Sequence, residues 1–433
     1  MRQTAIFPLP HDPHFLKKQL LQWANGYAVA AYLDSNGHAT GPYSAWECLV
    51  AVGVADELRM SAGTAFAAWE TWQQRAPDWQ FGTLAYDLKN EVERLSSSHF
   101  DGIAWPDLYF FQPEIVVGIR QGQVEIFSLT ATPQAIWQSI RQGYVPAQIQ
   151  PTAPMAPLQP RFSKREYMAT VEAIRQHIIA GDVYEINLCQ EFFAEGLPLH
   201  PVAAFGRLNA LSQAPFSAYI RLKDKYLCCA SPERFLKKMG DQLISQPIKG
   251  TRRRGQTPEQ DAEIRQELAA SEKDRAENVM IVDLVRNDLA RSCRPGSVRV
   301  EELFGIHTFT TVHQMISTIT GHLRNDQNGP AALRHAFPMG SMTGAPKVKA
   351  MQLIEQYERS RRGLYSGAVG YGTPEGDFDF NVVIRSILYN AATLYVSVQV
   401  GGAIVYDSVP EQEYEECLVK AAAMLRALGI NND

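Results

Sequence analysis

Three observations predict an α+β fold resting on antiparallel sheets. Strand-like and helix-like segments intermix along the 433 residues without a strict strand–helix–strand alternation. The stretch PEIVVGIRQGQVEIFSL (residues 113–129) sets two β-branched runs about a Gly-containing turn, a hairpin pattern. Helical segments with their own start signals, at Ser163 and at Ser408, lie among these strands.

The elements follow in chain order. GYAVAAYLDSNG (26–37) reads as a strand closing on an Asn-Gly turn, and 113–129 as the hairpin. VPAQIQPTAPMAPLQPRF (145–162) is dense in proline and poor in charge, and as an extended connector it divides 1–150 from 151–433. Ser163 and Glu166 then form a capping box ahead of Val171, Ile174 and Ile178, and Gly181 ends that helix. KYLCCASPERFLKKMGDQLISQPIKG (225–250) reads as two strands around an MGDQ turn, which puts Glu233 on one arm and Lys249 at the end of the other. One long helix is expected over 261–286, and the apolar run after Glu277 predicts burial on several of its sides. Strands follow at 364–373, 378–390 and 393–408, and a last helix is capped by Ser408, with Pro410 in its first turn and Glu411 three residues on.

Composition narrows the function. Hydrophobic residues at 45% and charged residues at 20% are ordinary for a soluble enzyme, and a formal charge of −5 gives no reason to expect nucleic acid. The six cysteines include no C-x-x-C pair, which argues against a disulfide framework or zinc site and fits a reducing compartment. The longest apolar run, CLVAVGVA from Cys48, is too short to span a bilayer, and the N-terminal stretch has no apolar leader core. These features predict a cytoplasmic protein with no membrane partner.

A few residues could carry chemistry. Lys249 lies between Pro247 and Gly250 in SQPIKGTRRRG, ahead of Arg252, Arg253 and Arg254. It is either one more charge on a basic loop or a reactive amine. On the last helix Glu413, Glu416 and Lys420 share one face, with Tyr414, Leu418, Ala421 and Leu425 as the buried stripe. Asp274 and Glu277 make a second acidic face. Such carboxylates are either a solvated surface or, beside apolar residues, oxygen ligands that need a hard cation such as Mg²⁺. GSMTGAPK (340–347) misses the phosphate-loop spacing, and Gly401 and Gly402 end a strand where backbone N–H groups can approach an anion.

Taken in order, GDVYEINLCQEF, APFSAYI, SPERFL, PIKGTRRRG, KDRAENVMIVDLVRNDLARSC, TVHQMISTITG, GSMTGAPKVKAM, SGAVGYG, NVVIRSI and GGAIVYDSVPEQEYEECLVKA resemble the chorismate-utilising enzymes. The resemblance covers nearly all of 162–433 and extends more loosely over the first half, through YLDS and FGTLAYDL. It implies two facing antiparallel sheets flanked by outer helices, with 1–150 as the N-terminal α+β region of the component I fold and 151–433 as the chorismate-binding catalytic region. Lysine in PIKGT resembles the aminodeoxychorismate synthases, where anthranilate synthases usually carry alanine. The resemblance then implies that Lys249 is the nucleophile at C2 of chorismate, that Glu233 handles the departing C4 hydroxyl, and that ammonia enters at C4 on a path to 4-aminobenzoate and folate. Glu277 and Glu416, with Glu413 nearby, would hold Mg²⁺. Gly250, Thr251, Thr343, Tyr371, Arg385, Gly401, Gly402 and Lys420 would hold the substrate. Desolvation and the positive field of Arg252–Arg254 are expected to lower the pKa of Lys249.

Three positions depart from the family pattern. Gln314 replaces a histidine associated with pyruvate elimination, and His313 stands one place early. Glu185 occupies a position where aminating relatives usually carry glutamine. Ala403 replaces the last glycine of a G-x-G turn. No glutaminase nucleophile segment is present, so ammonia is expected from a separate glutamine amidotransferase. Tryptophan is a further candidate ligand near 214–220. The competing readings are anthranilate synthase component I and a non-catalytic regulator that binds chorismate or tryptophan.

Overall fold

The computed structural model describes residues 2–38, 41–142 and 157–430, so most of the proline-rich connector lies outside the described residues. Two antiparallel sheets face each other with helices packed outside them, as expected. The larger sheet has twelve strands among the described residues. Its order is Gln3–Pro8, Gln123–Ser128, Ile115–Arg120, Cys48–Val52, Val29–Asp34, Phe216–Leu222, Lys225–Ser231, Ser386–Asn390, Tyr395–Ile404, Glu185–Ala194 and Gly344–Ala345, with Gln159–Pro160 beside Glu185–Ala194. The smaller has ten, in the order Ile248–Arg253, Val312–His322, Gln242–Gln246, Arg234–Met239, Phe378–Val382, Ala368–Gly372, Gln80–Leu84, Leu108–Gln112 and Asp56–Met60, with Arg299–Thr308 beside Val312–His322. Both sheets therefore draw strands from the first and second halves of the chain.

Strand alternation sorts the core into two layers. Val29 and Ala31 enter the cluster between the sheets, which is rich in rings such as Trp69 and Phe110, stacked at 4.1 Å. Ala30 and Tyr32 turn to the opposite face, under helices Pro13–Asn25, Lys164–Ile179, Pro201–Ser212 and Pro410–Ala427. Fully burying each large apolar side chain in these layers contributes about 1.5–3 kcal/mol. Helix Glu272–Ala290 lies against strands Ile248–Arg253 and Val312–His322 of the smaller sheet.

Several local expectations hold. The strand Val29–Asp34, the hairpin Ile115–Arg120/Gln123–Ser128 and the Ser163–Glu166 capping box are all present. Gly181 follows the capped helix at φ +81°, the left-handed turn that glycine adopts without steric cost.

Others are corrected. Residues 225–250 contain three strands and the start of a fourth: the MGDQ hairpin joins Arg234–Met239 to Gln242–Gln246, Lys225–Ser231 belongs to the other sheet, and Lys249 lies in Ile248–Arg253. Residues 378–390 are likewise two strands in two sheets. The expected single helix over 261–286 is two, Pro258–Ala270 and Glu272–Ala290, because Ser271 takes an extended conformation and its Oγ caps the second by accepting from Asp274 N. That second helix buries one stripe, Ile281, Val282, Val285 and Leu289, and leaves Val279 exposed, so it is not enclosed on several sides. Ser408 does not cap the last helix. Its hydroxyl donates to Glu413 Oε1 at 2.7 Å, and Cys417, Ala421, Met424 and Leu425 form the buried stripe, with Tyr414 and Leu418 only part-buried.

Candidate active site

Two of the places where the chain leaves one sheet for the other lie side by side. Residues 232–233 carry it from Lys225–Ser231 to Arg234–Met239, and 383–385 carry it back from Phe378–Val382 to Ser386–Asn390. Val382 N donates to Glu233 O at 3.1 Å, and Ala230 N donates to Arg385 O at 3.1 Å, so each crossover braces the other. A charged side chain stands on each. Ladder pairing breaks at such points, and Arg385 takes a φ of +53° there.

Glu233 is buried, and its Oε1 accepts from Ser341 Oγ at 2.7 Å. Burial lifts its pKa to about 7, against the opposing pull of the Ser341 bond and the Lys249 ammonium. Arg385 is half-buried and makes no side-chain hydrogen bond or ion pair with any described residue. Burial lowers its pKa, with Tyr365 and Glu416 acting the other way. A guanidinium held this way is ready to receive a carboxylate.

Lys249 reaches the same region from the edge of the smaller sheet. Gly250, at φ +90°, lets the strand end approach helix Glu272–Ala290, since a Cβ there would stand 3.0 Å from Asp274 Oδ1. Lys249 Nζ meets Glu185 Oε1 at 2.6 Å, with side-chain exposures of only 10% and 1%. The expectation of a lowered lysine pKa is overturned. Burial alone would lower it, but the carboxylates of Glu185, Glu277 and Glu233 outweigh burial, and the net direction is upward. Two of the three arginines are also neutralised locally: Arg252 pairs with Asp274 at 2.8 Å and Arg254 with Asp261 at 2.7 Å.

The last helix supplies the other charges. Lys420 Nζ sits 2.6 Å from Glu416 Oε1 and donates to Gly401 O at 2.7 Å. Partial burial would raise the pKa of Glu416, but the Lys420 ion pair overrides it and the net direction is down. Burial raises Glu413. Gly402 packs so closely that a Cβ would lie 3.2 Å from Glu413 Oε2 and 4.0 Å from Glu416 Oε1. Burial, reinforced by the nearby Glu185 charge, raises Glu277 against the pull of Lys249. Among the described residues no three His, Cys, Asp or Glu groups converge in a ready-made metal cage. The Lys273 ammonium nevertheless acts on Glu277, Glu413 and Glu416 together, so this rim already favours a cation.

The remaining expected residues are placed unevenly. Thr343 is buried and its hydroxyl donates to Met339 O at 3.1 Å, while its carbonyl accepts from Asn187 N at 2.8 Å. Thr251 is exposed and pairs with Gln314. Tyr371 is not brought to this cluster. It lies beside Trp79 and Phe81 and lines a separate cavity with Asp34, Trp46, Phe216 and Ser217. Tyr365 is the tyrosine that Arg385 feels, and sequence reasoning missed it because SGAVGYG and the preceding LY offer two tyrosines with no period to choose between them. Ser341 was also missed, although its segment was singled out. His313 points away from Gln314, as neighbours on a strand do, and its ring nitrogens bond Asp261 and Thr308 at 2.9 Å each.

Beneath the cluster, Arg362 is buried and donates to both carboxylate oxygens of Glu358 (2.7 and 2.9 Å), to Met342 O (2.6 Å) and to Asn187 O (2.8 Å). Glu358 Oε1 in turn accepts from Cys189 N at 2.9 Å. This pair ties the 340–345 turn to strand Glu185–Ala194.

A family model described as chorismate binding enzyme matches residues 30–426. Among curated relatives, the chain is 32% identical over 403 residues to aminodeoxychorismate synthase component 1 of Bacillus subtilis, covering 87% of this chain and 85% of that protein. It is 36% identical to anthranilate synthase component 1 of Thermus thermophilus, over 80% of this chain and 76% of that one. A match of 44% identity to aminodeoxychorismate synthase of Streptomyces griseus covers 64% of this chain but only 38% of that longer protein. The fold is similar to the crystal structure of anthranilate synthase component I from Streptococcus pneumoniae, with a TM-score of 0.76 at 24% identity over 89% of this chain and 95% of that one.

Proposed function

The chain belongs to the chorismate-binding enzyme family, and from that premise we propose that it is the aminating subunit of aminodeoxychorismate synthase. It would convert chorismate and ammonia to 4-amino-4-deoxychorismate, on the route to 4-aminobenzoate and folate. The observation that carries this reading is Lys249, its side chain 10% exposed and 2.6 Å from Glu185 in a site that also holds an acid near neutral pKa and an unpaired arginine. A lysine placed so is costly as mere structure and useful as a nucleophile.

In this reading the Lys249 amine attacks C2, and Glu233 gives its proton to the departing C4 hydroxyl, because hydroxide itself is a poor leaving group. Arg385 and Lys420 each neutralise one carboxylate of the dianionic substrate. Glu277 and Glu416, with Glu413 beside them, offer oxygen donors suited to Mg²⁺, which uses few protein ligands and keeps waters, and would supply charge neutralisation at a substrate carboxylate. Ammonia would come from a separate glutamine amidotransferase in the cytoplasm. The cavity around Tyr371, with Trp46, Phe216 and Asp34, would suit tryptophan.

The test is to incubate the protein with chorismate, excess ammonium and Mg²⁺ and to identify products by mass. Aminodeoxychorismate is expected, and anthranilate as sole product would overturn the assignment. His313 is turned away from the site and Gln314 cannot act as an acid or base, which supports the first outcome.

Two expectations accompany it. Glu233 must be protonated to act as an acid, so kcat/KM should be level below about pH 7 and fall about tenfold per pH unit above it. Glu233→Gln should lose about 10²–10⁴-fold, and a profile that still bends at the same pH in that variant would assign the titration elsewhere. Chelation should abolish turnover and Mg²⁺ restore it, and Glu416→Gln should raise the half-saturating Mg²⁺ concentration about tenfold or more. An unchanged Mg²⁺ requirement would remove Glu416 from the metal site.

A further inference from the structure

Glu185 has no role in the scheme above, yet it makes the shortest contact to the reactive amine. It opens strand Glu185–Ala194 and is fixed there by pairing with Ala345. Gly344 packs so tightly on it that a Cβ at 344 would lie 2.0 Å from the Glu185 carbonyl oxygen. One carboxylate oxygen holds Lys249, and the other, Oε2, is buried with no hydrogen-bond partner among the described residues.

We propose that Glu185 is the internal proton acceptor for Lys249, taking the ammonium proton across their 2.6 Å contact, storing it while the lysine is bonded to substrate, and returning it afterwards. The proposal rests on the chorismate-aminating reading and adds a catalytic residue to it. Two opposite charges buried together are both penalised by desolvation, and moving one proton along the bond removes both at once without changing the net charge of the site. The amine thus becomes nucleophilic with no proton passing to solvent. A glutamine in this position would accept the hydrogen bond but could not accept the proton.

The steps balance. The proton moves from Lys249 to Glu185, leaving a neutral amine and a neutral acid. The amine lone pair forms the N–C2 bond, the ring π electrons shift, the C4–O bond breaks, and the Glu233 proton leaves with the hydroxyl as water. The secondary ammonium stays on C2 while Glu185 keeps its proton. Ammonia then forms the N–C4 bond, the π electrons shift back, and Lys249 departs as a neutral amine. The new C4 ammonium returns a proton to Glu233, and Glu185 returns its own to Lys249.

The charges facing Lys249 come from four elements: Glu185 on its strand, Glu233 at the crossover, Glu277 on helix Glu272–Ala290 and Glu416 on helix Pro410–Ala427. All except Glu185 are the same in wild type and Glu185→Gln, so the ratio of the two isolates its effect. The measurement is single-turnover formation of the Lys249–substrate adduct, followed by intact mass, between about pH 6 and pH 9, with Mg²⁺ and without ammonia. In the variant the lysine must lose its proton to water, so the ratio of variant to wild-type rate should rise about tenfold per pH unit until the amine is free. The titration of Glu233 occurs in both proteins and cancels.

A ratio that is flat across the range would overturn the proposal and leave Glu185 a positioning contact. The wild type alone gives a second reading that needs no variant to fold. Its adduct rate should not fall on the acid side of the Glu233 titration, and a tenfold fall per unit there would show that the lysine proton goes to solvent. A wild type that forms no adduct at all would remove the aminating mechanism and this proposal with it. A wild type that forms the adduct beside a flat ratio would remove this proposal alone.

Discussion

Lys249→Ala should abolish the covalent adduct and lower chorismate amination about a thousandfold or more, and Lys249→Arg should do no better. An arginine keeps the charge that Glu185 pairs with but is not a nucleophile, so the two variants separate charge from chemistry. Turnover and intact mass under identical ammonium and Mg²⁺ decide the matter. An alanine variant that keeps wild-type turnover would make Lys249 a positioned charge, with ammonia attacking chorismate directly. An active arginine variant beside an inactive alanine one would assign an electrostatic role.

The largest loss of stability is expected from Arg362→Met. That change leaves Glu358 buried with an uncompensated charge and frees the carbonyls of Met342 and Asn187. Breaking a buried pair from one side costs about 3–5 kcal/mol, whereas replacing both partners with apolar groups is often close to neutral. Arg362→Met should therefore lower the urea midpoint by an amount equivalent to that cost, and adding Glu358→Leu should recover at least half of it. A single variant that costs under about 1 kcal/mol would show that water already reaches the pair.

The legible parts of this molecule were those written in short range. The Ser163–Glu166 box, the Gly181 stop and the 113–129 hairpin depend on neighbours a few residues apart, and each stands where its pattern puts it. The two sheet crossovers were invisible for the opposite reason. NVVIRSI is rich in β-branched residues and carries no glycine or proline, and nothing local says that Val382 belongs to one sheet and Ser386 to the other. SPERF likewise hides a change of sheet, and Ser271 looked like one more helical position when it is the cap of a new helix. At the site, the residues alone raised Lys249 as one of two readings and the family resemblance marked Glu233 and Arg385, and the structure sets Glu233 and Arg385 on adjacent crossovers with Lys249 near enough to shift Glu233. Which tyrosine belongs with Arg385, and what holds the lysine, depend on partners between 20 and 64 positions away, as the Lys249–Glu185 separation illustrates.

Because Glu233 and Arg385 sit on spans that belong to both sheets, neither can follow one sheet alone. Sliding of one layer across the other would load these two backbones along with the other spans that join the sheets. A bound ligand that bridges the two residues would in turn pin the layers together, like a bolt through a laminate.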